Sequence, residues 1–328
     1  MFASRLYPTL LQLLSLALVG TTLLACSRFD DKALTANRDG LALADIASAN
    51  PQRVIIIGPA TTETLFAMGL GERVVGVSDY CDWQAAEHLQ RVGGLFNPNL
   101  EQIAALQPDL LIVEGQSHIL RELAKTQGFR LENASIASRE LWVQQVEHLG
   151  QLFKSPAAAH QLLAEVNGEL RRIERRNRPE NDHDRPKVLI VINRDFDQAA
   201  KMLVAGGGSF LSELVKIAGA VNLFEDNERG VFDLNTESLV RNPPDIILEF
   251  DLEKKTQGGR ATTRPVHPPQ ANSIWTRDWP NLPAVANRRI LTLSGRENLV
   301  PGPRMAGTAK RLAQIFSTQA QVSPTIGR

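Results

Sequence analysis

Asn99-Leu100-Glu101, followed after six residues by Pro108-Asp109-Leu110-Leu111-Ile112-Val113, has a second copy later in the chain. That copy is Asn235-Thr236-Glu237, six residues, then Pro244-Asp245-Ile246-Ile247-Leu248. Each predicts a short helix whose Asn side chain caps the free N–H groups of the first turn. Proline stops the helix, and a buried aliphatic strand follows. Two lobes of one design are expected, each presenting a glutamate at the same register.

Outward from these copies, the first half reads as strands at 53–58, 73–77 and 109–113 alternating with helices at 61–68, 99–106 and 117–127. The second half reads as strands at 187–192, 245–250 and 289–293 with helices at 209–218 and 302–317. The strands are continuous aliphatic runs, so the sheets are expected to be parallel and covered on both faces. A weaker echo, Glu63 to Gly69 against Glu213 to Gly219, supports duplication. Between the halves, Ala159, Leu162, Leu163, Val166, Leu170 and Ile173 recur at helical spacing, and Ser155-Pro156 is a good start. A helix over 155–177 would span roughly 34 Å, enough to join two lobes; a long surface helix of one domain is the alternative. The fold class is therefore α/β: two similar lobes with parallel sheets flanked by helices, joined by a single long backbone helix.

The 328 residues carry 36 basic and 36 acidic side chains, a balance that argues against nucleic acid as partner. Two cysteines are too few for a disulfide framework. A weakly basic start, an apolar stretch over 10–24 and Leu23-Leu24-Ala25-Cys26 are similar to a bacterial lipoprotein signal, with Cys26 as the lipidated residue. An uncleaved membrane anchor is the alternative; in both cases the protein is expected in the cell envelope, tethered to a membrane. The expected divisions are signal 1–26, tether 27–51, first lobe 52–154, backbone helix 155–180 and second lobe 181–320. Residues 251–273 read as a polar insert, a mobile loop.

Further residues carry a family resemblance. Gly58-Pro59-Ala60-Thr61-Thr62-Glu63, Val74-Val75-Gly76-Val77, Asp79-Tyr80-Cys81-Asp82-Trp83 and Arg91-Val92-Gly93-Gly94 open the chain's similarity. Phe210-Leu211, Ala218 to Asn222, Trp279 to Val285 and Pro301-Gly302-Pro303-Arg304 continue it. Together with the doubled pattern, over roughly 52–318, they resemble the periplasmic binding proteins of ABC importers for iron-siderophores, haem and vitamin B12. The resemblance implies the helical-backbone (class III) fold and a ligand cleft between the lobes. It also implies that Glu101 and Glu237 dock against arginines of a two-subunit permease with its ATPase. A monomer binding a small metal chelate is implied, with no catalytic residues and no resident cofactor or metal.

In parallel sheets ligands sit beyond the carboxyl ends of the strands. That selects Tyr80, Trp83, Leu95, Phe96 and Glu114 in the first lobe. In the second it selects Arg194, Phe196, Phe232, Arg296 and Arg304, and glycines 206–208, read as letting backbone approach the ligand. Aromatics suit a flat macrocycle or a catecholate, and arginines suit the charge of a chelate. Glu114, where an aromatic would help hold a corrin, and Leu95, a weak substitute for another, weigh against cobalamin; an iron-siderophore is the first expectation, with cobalamin or haem next. Six scattered histidines and Cys81 beside Asp82 offer no metal-ligand spacing. Two other readings remain: a metal-cofactor enzyme of chelatase or nitrogenase type on the same fold, and a chelate sensor.

Overall fold

The computed structural model describes residues 50–194, 202–251 and 274–320. Cys26, Phe196, the 1–49 segment and nearly all of the 251–273 insert lie outside them.

The first lobe holds β1 (Val54–Ile57), α1 (Pro59–Ala67), β2 (Val74–Val77), β3 (Gln90–Arg91), α2 (Leu100–Ala105), β4 (Leu110–Glu114), α3 (His118–Gln127), β5 (Arg130–Ala134) and α4 (Arg139–Leu152). Its sheet is wholly parallel, in the order β3-β2-β1-β4-β5. The chain reverses its winding between β1 and β4, so the crevice at their carboxyl ends is the expected ligand position. All four residues of β1 are buried, as an apolar run covered on both faces requires.

α5 (Pro156–Asn177) follows, with Pro156 at its start and its apolar stripe buried along the full length expected of a backbone helix. The second lobe holds β6 (Lys187–Arg194), β7 (Met202–Ala205), α6 (Phe210–Ile217), β8 (Val221–Asn222), β9 (Val231–Asp233), α7 (Glu237–Arg241), β10 (Ile246–Asp251), α8 (Ile274–Asp278), α9 (Pro283–Ala286), β11 (Ile290–Ser294) and α10 (Met305–Ala320). Its sheet runs β11-β10-β6-β7-β9, with β8 also on β6. Here the lobe departs from the expected parallel design: β6, β10 and β11 are parallel, but β7 pairs antiparallel with both β6 and β9.

The doubled pattern has a physical meaning in both lobes. The Asp109 carboxylate accepts from the N–H groups of Gln52 (2.7 Å) and Arg53 (3.1 Å), and Asp245 accepts from the N–H of Lys187 (2.8 Å). The aspartates return the bond through their own N–H groups to the carbonyls of Arg53 and Lys187, both at 2.9 Å. Each Pro-Asp therefore pins the start of β4 to β1, or of β10 to β6, in a parallel register that no hairpin could set. Asn99 caps α2 by accepting from the Gln102 N–H, and Asn235 accepts from the Glu237 N–H.

One apolar core runs through both lobes. It gathers Leu65 of α1, Trp142 and Leu149 of α4, Leu162 and Val166 of α5, Leu211 and Leu214 of α6, and Leu312 of α10. α1 begins two residues earlier than expected because Pro59, with its fixed φ and no N–H to lose, takes the first position.

Candidate functional site

The loops after β2 and β11 meet across the lobes. After β2, Arg91 Nη1 donates to the carbonyls of Ser78 and Cys81, holding the stretch that carries Tyr80 and Trp83. The Tyr80 ring packs over Gly94, where a side chain would collide with it. After β11, residues 295–304 bring Arg296 and Arg304 to the same place. Arg296 Cζ lies 5.8 Å from the Tyr80 ring centroid, and Arg304 Cζ lies 5.5 Å from that of Trp83. Four of the expected ligand residues are thus brought together as two arginine–aromatic pairs, each with one member from either lobe.

Beneath them is an ion-pair cluster that sequence reasoning missed. Arg304 Nε donates to Glu63 Oε2 at 2.9 Å, and its Nη2 donates to Glu63 Oε1 and to Asp82 Oδ1 (2.7 Å). Glu63 is fully buried, and burial pushes its carboxyl up to about 7 against the pull of Arg304. The signal was present in the sequence. A lone charge in Pro59-Ala-Thr-Thr-Glu63-Thr-Leu-Phe, a stretch that packs into a core, needs a partner.

Glu114 ends β4 beside Gly58, and its carboxylate accepts from the Thr61 N–H at the first turn of α1. Burial raises its pKa to about 7 in spite of that bond. The carboxylate is thus turned toward the helix start. Leu95 leans on Gly115 and the first-lobe core, while Phe96 is 95% exposed. Phe232 packs edge-on against Phe224 at 5.2 Å in the second-lobe core. Arg194 ends β6, and Phe196 lies outside the described residues.

The glycines at 206–208 do something other than expected. A Cβ on Gly206 would meet the carbonyl of Arg229, one on Gly207 that of Glu225, and one on Gly208 that of Glu228. The Gly207 N–H donates to Asn227 O at 2.7 Å. These glycines admit the chain's own 225–230 loop, so the space beside them is already filled by protein backbone. A concavity of about 690 Å³ lined by Phe224, Asp226, Glu228, Arg229 and Asn242 borders this loop and does not include the arginine–aromatic pairs.

Glu101 and Glu237 are both exposed, one near the start of each repeated helix. Glu237 has Arg241 at 3.6 Å, a surface pair worth little energetically. Cys81 is a buried free thiol whose pKa burial raises. Among the described residues, no group of three or more His, Cys, Asp or Glu is gathered as a metal-holding set.

Two α/β lobes on one backbone helix are the fold of the helical-backbone class of solute-binding proteins. The chain belongs to the periplasmic binding protein family, whose model matches residues 54–297. A vitamin B12-binding protein of Vibrio cholerae is 28% identical over 242 residues, covering 71% of this chain and 83% of the relative. An uncharacterized ABC transporter substrate-binding lipoprotein of Bacillus subtilis is 24% identical over 272 residues, covering 80% of this chain and 79% of that one. A solved periplasmic heme binding protein from Pseudomonas aeruginosa superposes with a TM-score of 0.64 at 25% identity, covering 82% of this chain and 94% of that one. The relatives are binding proteins, and this chain is one rather than an enzyme.

Proposed function

We propose that this protein is the substrate-binding component of an ABC importer, capturing a metal chelate outside the cytoplasm and handing it to a membrane permease. The observation that supports the reading is that arginines and aromatics from opposite lobes meet in the loops after β2 and β11, where a flat, charged ligand is expected to sit. Relatives named for vitamin B12 and heme support a tetrapyrrole or similar chelate as cargo. An iron-siderophore remains a candidate for the same arginines, since catecholate and carboxylate chelates carry the charge they attract. Because the Glu114 carboxylate is turned to α1, it no longer argues against a corrin.

In this reading Cys26 is the lipidated first residue of the mature chain, and the protein works as a tethered monomer. Glu101 and Glu237 dock against the two permease subunits, one carboxylate each. Support for docking is their exposure at equivalent places in a duplicated fold. Rim charges of this kind set orientation and association rate.

The test is calorimetric titration with a panel of ferric-siderophores, haem and corrinoids, with Trp83 fluorescence as second readout. One ligand per protein at micromolar or better affinity is expected. Absence of heat and quenching across the panel would overturn the transport reading.

A further inference from the structure

The duplicated lobes exchange one ion pair in each direction. Glu63, in α1 of the first lobe, takes Arg304, which immediately precedes α10, the last helix of the second lobe. Glu213, in α6 of the second lobe, takes Arg139, which opens α4, the last helix of the first lobe, with Nε to Oε1 at 2.6 Å. Glu63 and Glu213 occupy matching places in the echoed segments that end at Gly69 and Gly219. Arg139 and Arg304 each stand at the entrance to the helix that follows a lobe's final strand. The second pair is further tied to the backbone helix, because Arg139 Nη1 donates to Asn167 of α5 at 2.8 Å.

We propose that these two ion pairs form a reciprocal clasp fixing the orientation of the lobes, and that the Glu63–Arg304 attraction within it depends on Glu63 being ionised. The two ends are physically unequal. Arg139 and Glu213 are each about one-third exposed, so water screens their attraction. Glu63 is sealed from water, which makes its charge state costly and its bond strong when ionised. The groups facing it are Arg304 and Asp82, with Glu297 beyond Gly295 and Glu114 at the end of β4 adding negative charge nearby. With three further carboxylates around a single guanidinium, burial and repulsion together hold the Glu63 carboxyl near neutrality. Protonation replaces the ion pair by a hydrogen bond from the charged guanidinium to a neutral carboxyl, which weakens the pull of Arg304 and removes the cost of a buried carboxylate charge.

The clasp lies beyond the transport reading, and its test needs no cargo. Equilibrium unfolding of the full chain, its Glu63→Gln and Arg304→Gln variants and the double variant is measured near pH 8 and near pH 5.5. The expected coupling is roughly tenfold in the unfolding constant at the higher pH and clearly smaller at the lower. A coupling that is absent at both, or equal at both, overturns the clasp or its proton sensitivity respectively. Hydrogen exchange of the wild-type chain covers the case in which a variant does not fold. Amides in 78–83 and 302–305, corrected for intrinsic rates, are expected to gain protection on acidification, because the clasped state binds the Glu63 proton more tightly than an open one; unchanged or lost protection there overturns the proposal. The Glu213→Gln variant, which acts at the solvated end, is expected to leave that pH response in place, and its abolition would also count against two separate ends.

Discussion

Trp142 donates its indole N–H to Thr64 Oγ1 at 3.0 Å, tying α4 to α1 at a point where neither side chain reaches water. Thr64 donates its own hydroxyl proton to the Ala60 carbonyl at 2.7 Å, so the indole N–H and the Thr64 hydroxyl are both satisfied. Thr64→Val would keep the volume and orphan the indole. We expect a loss of about 1–3 kcal/mol in urea unfolding. Trp142→Phe should cost a comparable amount through lost packing. Stability within about 0.5 kcal/mol of wild type in both variants would show that the bond is replaceable.

The glycine cradle gives a second expectation. Gly207→Ala places a methyl on the Glu225 carbonyl, with backbone on both sides and no flexible side chain to yield. A destabilisation of about 1–3 kcal/mol is expected. Gly168→Ala, on the open surface of α5, should stabilise or leave stability unchanged, since nothing lies near its Cβ. Thermal unfolding of the two variants side by side makes the comparison.

Stability should fall as pH rises through neutrality. Glu63 and Glu114 have folded values of about 7 against an ordinary 4.5, so the folded state binds their protons more tightly than the unfolded chain does. Their contribution is complete below about pH 4.5 and is lost as pH climbs through 7, by up to about 3 kcal/mol for each group. Glu132 acts in the opposite sense: burial raises it, yet bonds from His148 and Arg130 hold it below its ordinary value. Its share is lost only on acidification below 4.5, outside this window. Unfolding free energies measured from pH 5 to about 8.5 should therefore decline, and Glu114→Gln should flatten the slope. A rising curve would mean that the carboxylates ionise freely in the folded protein.

The docking role proposed for Glu101 and Glu237 offers a test that separates capture from delivery. Glu101→Ala together with Glu237→Ala is expected to leave chelate affinity within twofold of wild type, roughly, while uptake in cells falls by tenfold or more. Collapse of affinity in the purified double variant would place these side chains in the cleft and end the docking argument.

The architecture was legible because its signals are local. Aliphatic runs, the Asn caps and the Pro156 start each depend on a few neighbouring residues, and they gave β1, β4, α2 and α5 nearly at their observed positions. β7 and β9 escaped because short antiparallel strands in a glycine-rich stretch carry little periodicity, so the second sheet was expected to be parallel throughout. α4 was missed although Ser138 caps it with its side chain. Tyr80, Trp83, Arg296 and Arg304, each selected by strand-end logic, lie together, but their pairing joins distant parts of the chain and was not foreseen. Glu63 lies 241 residues from Arg304, and no spacing rule reaches that far. Phe232, also selected by strand-end logic, lies on β9 with its ring packed against the second-lobe core.

The apolar core shared by α1, α4, α5, α6 and α10 means that the two halves, alike in design, are not independent modules. A fragment ending after α5 would keep its own sheet yet expose the face of the long helix that packs against α6 and α10. Separately made halves are therefore expected to be insoluble or to seek each other out. The joined chain holds that obligate partnership within one polypeptide, so damage to either half is felt by the fold of both.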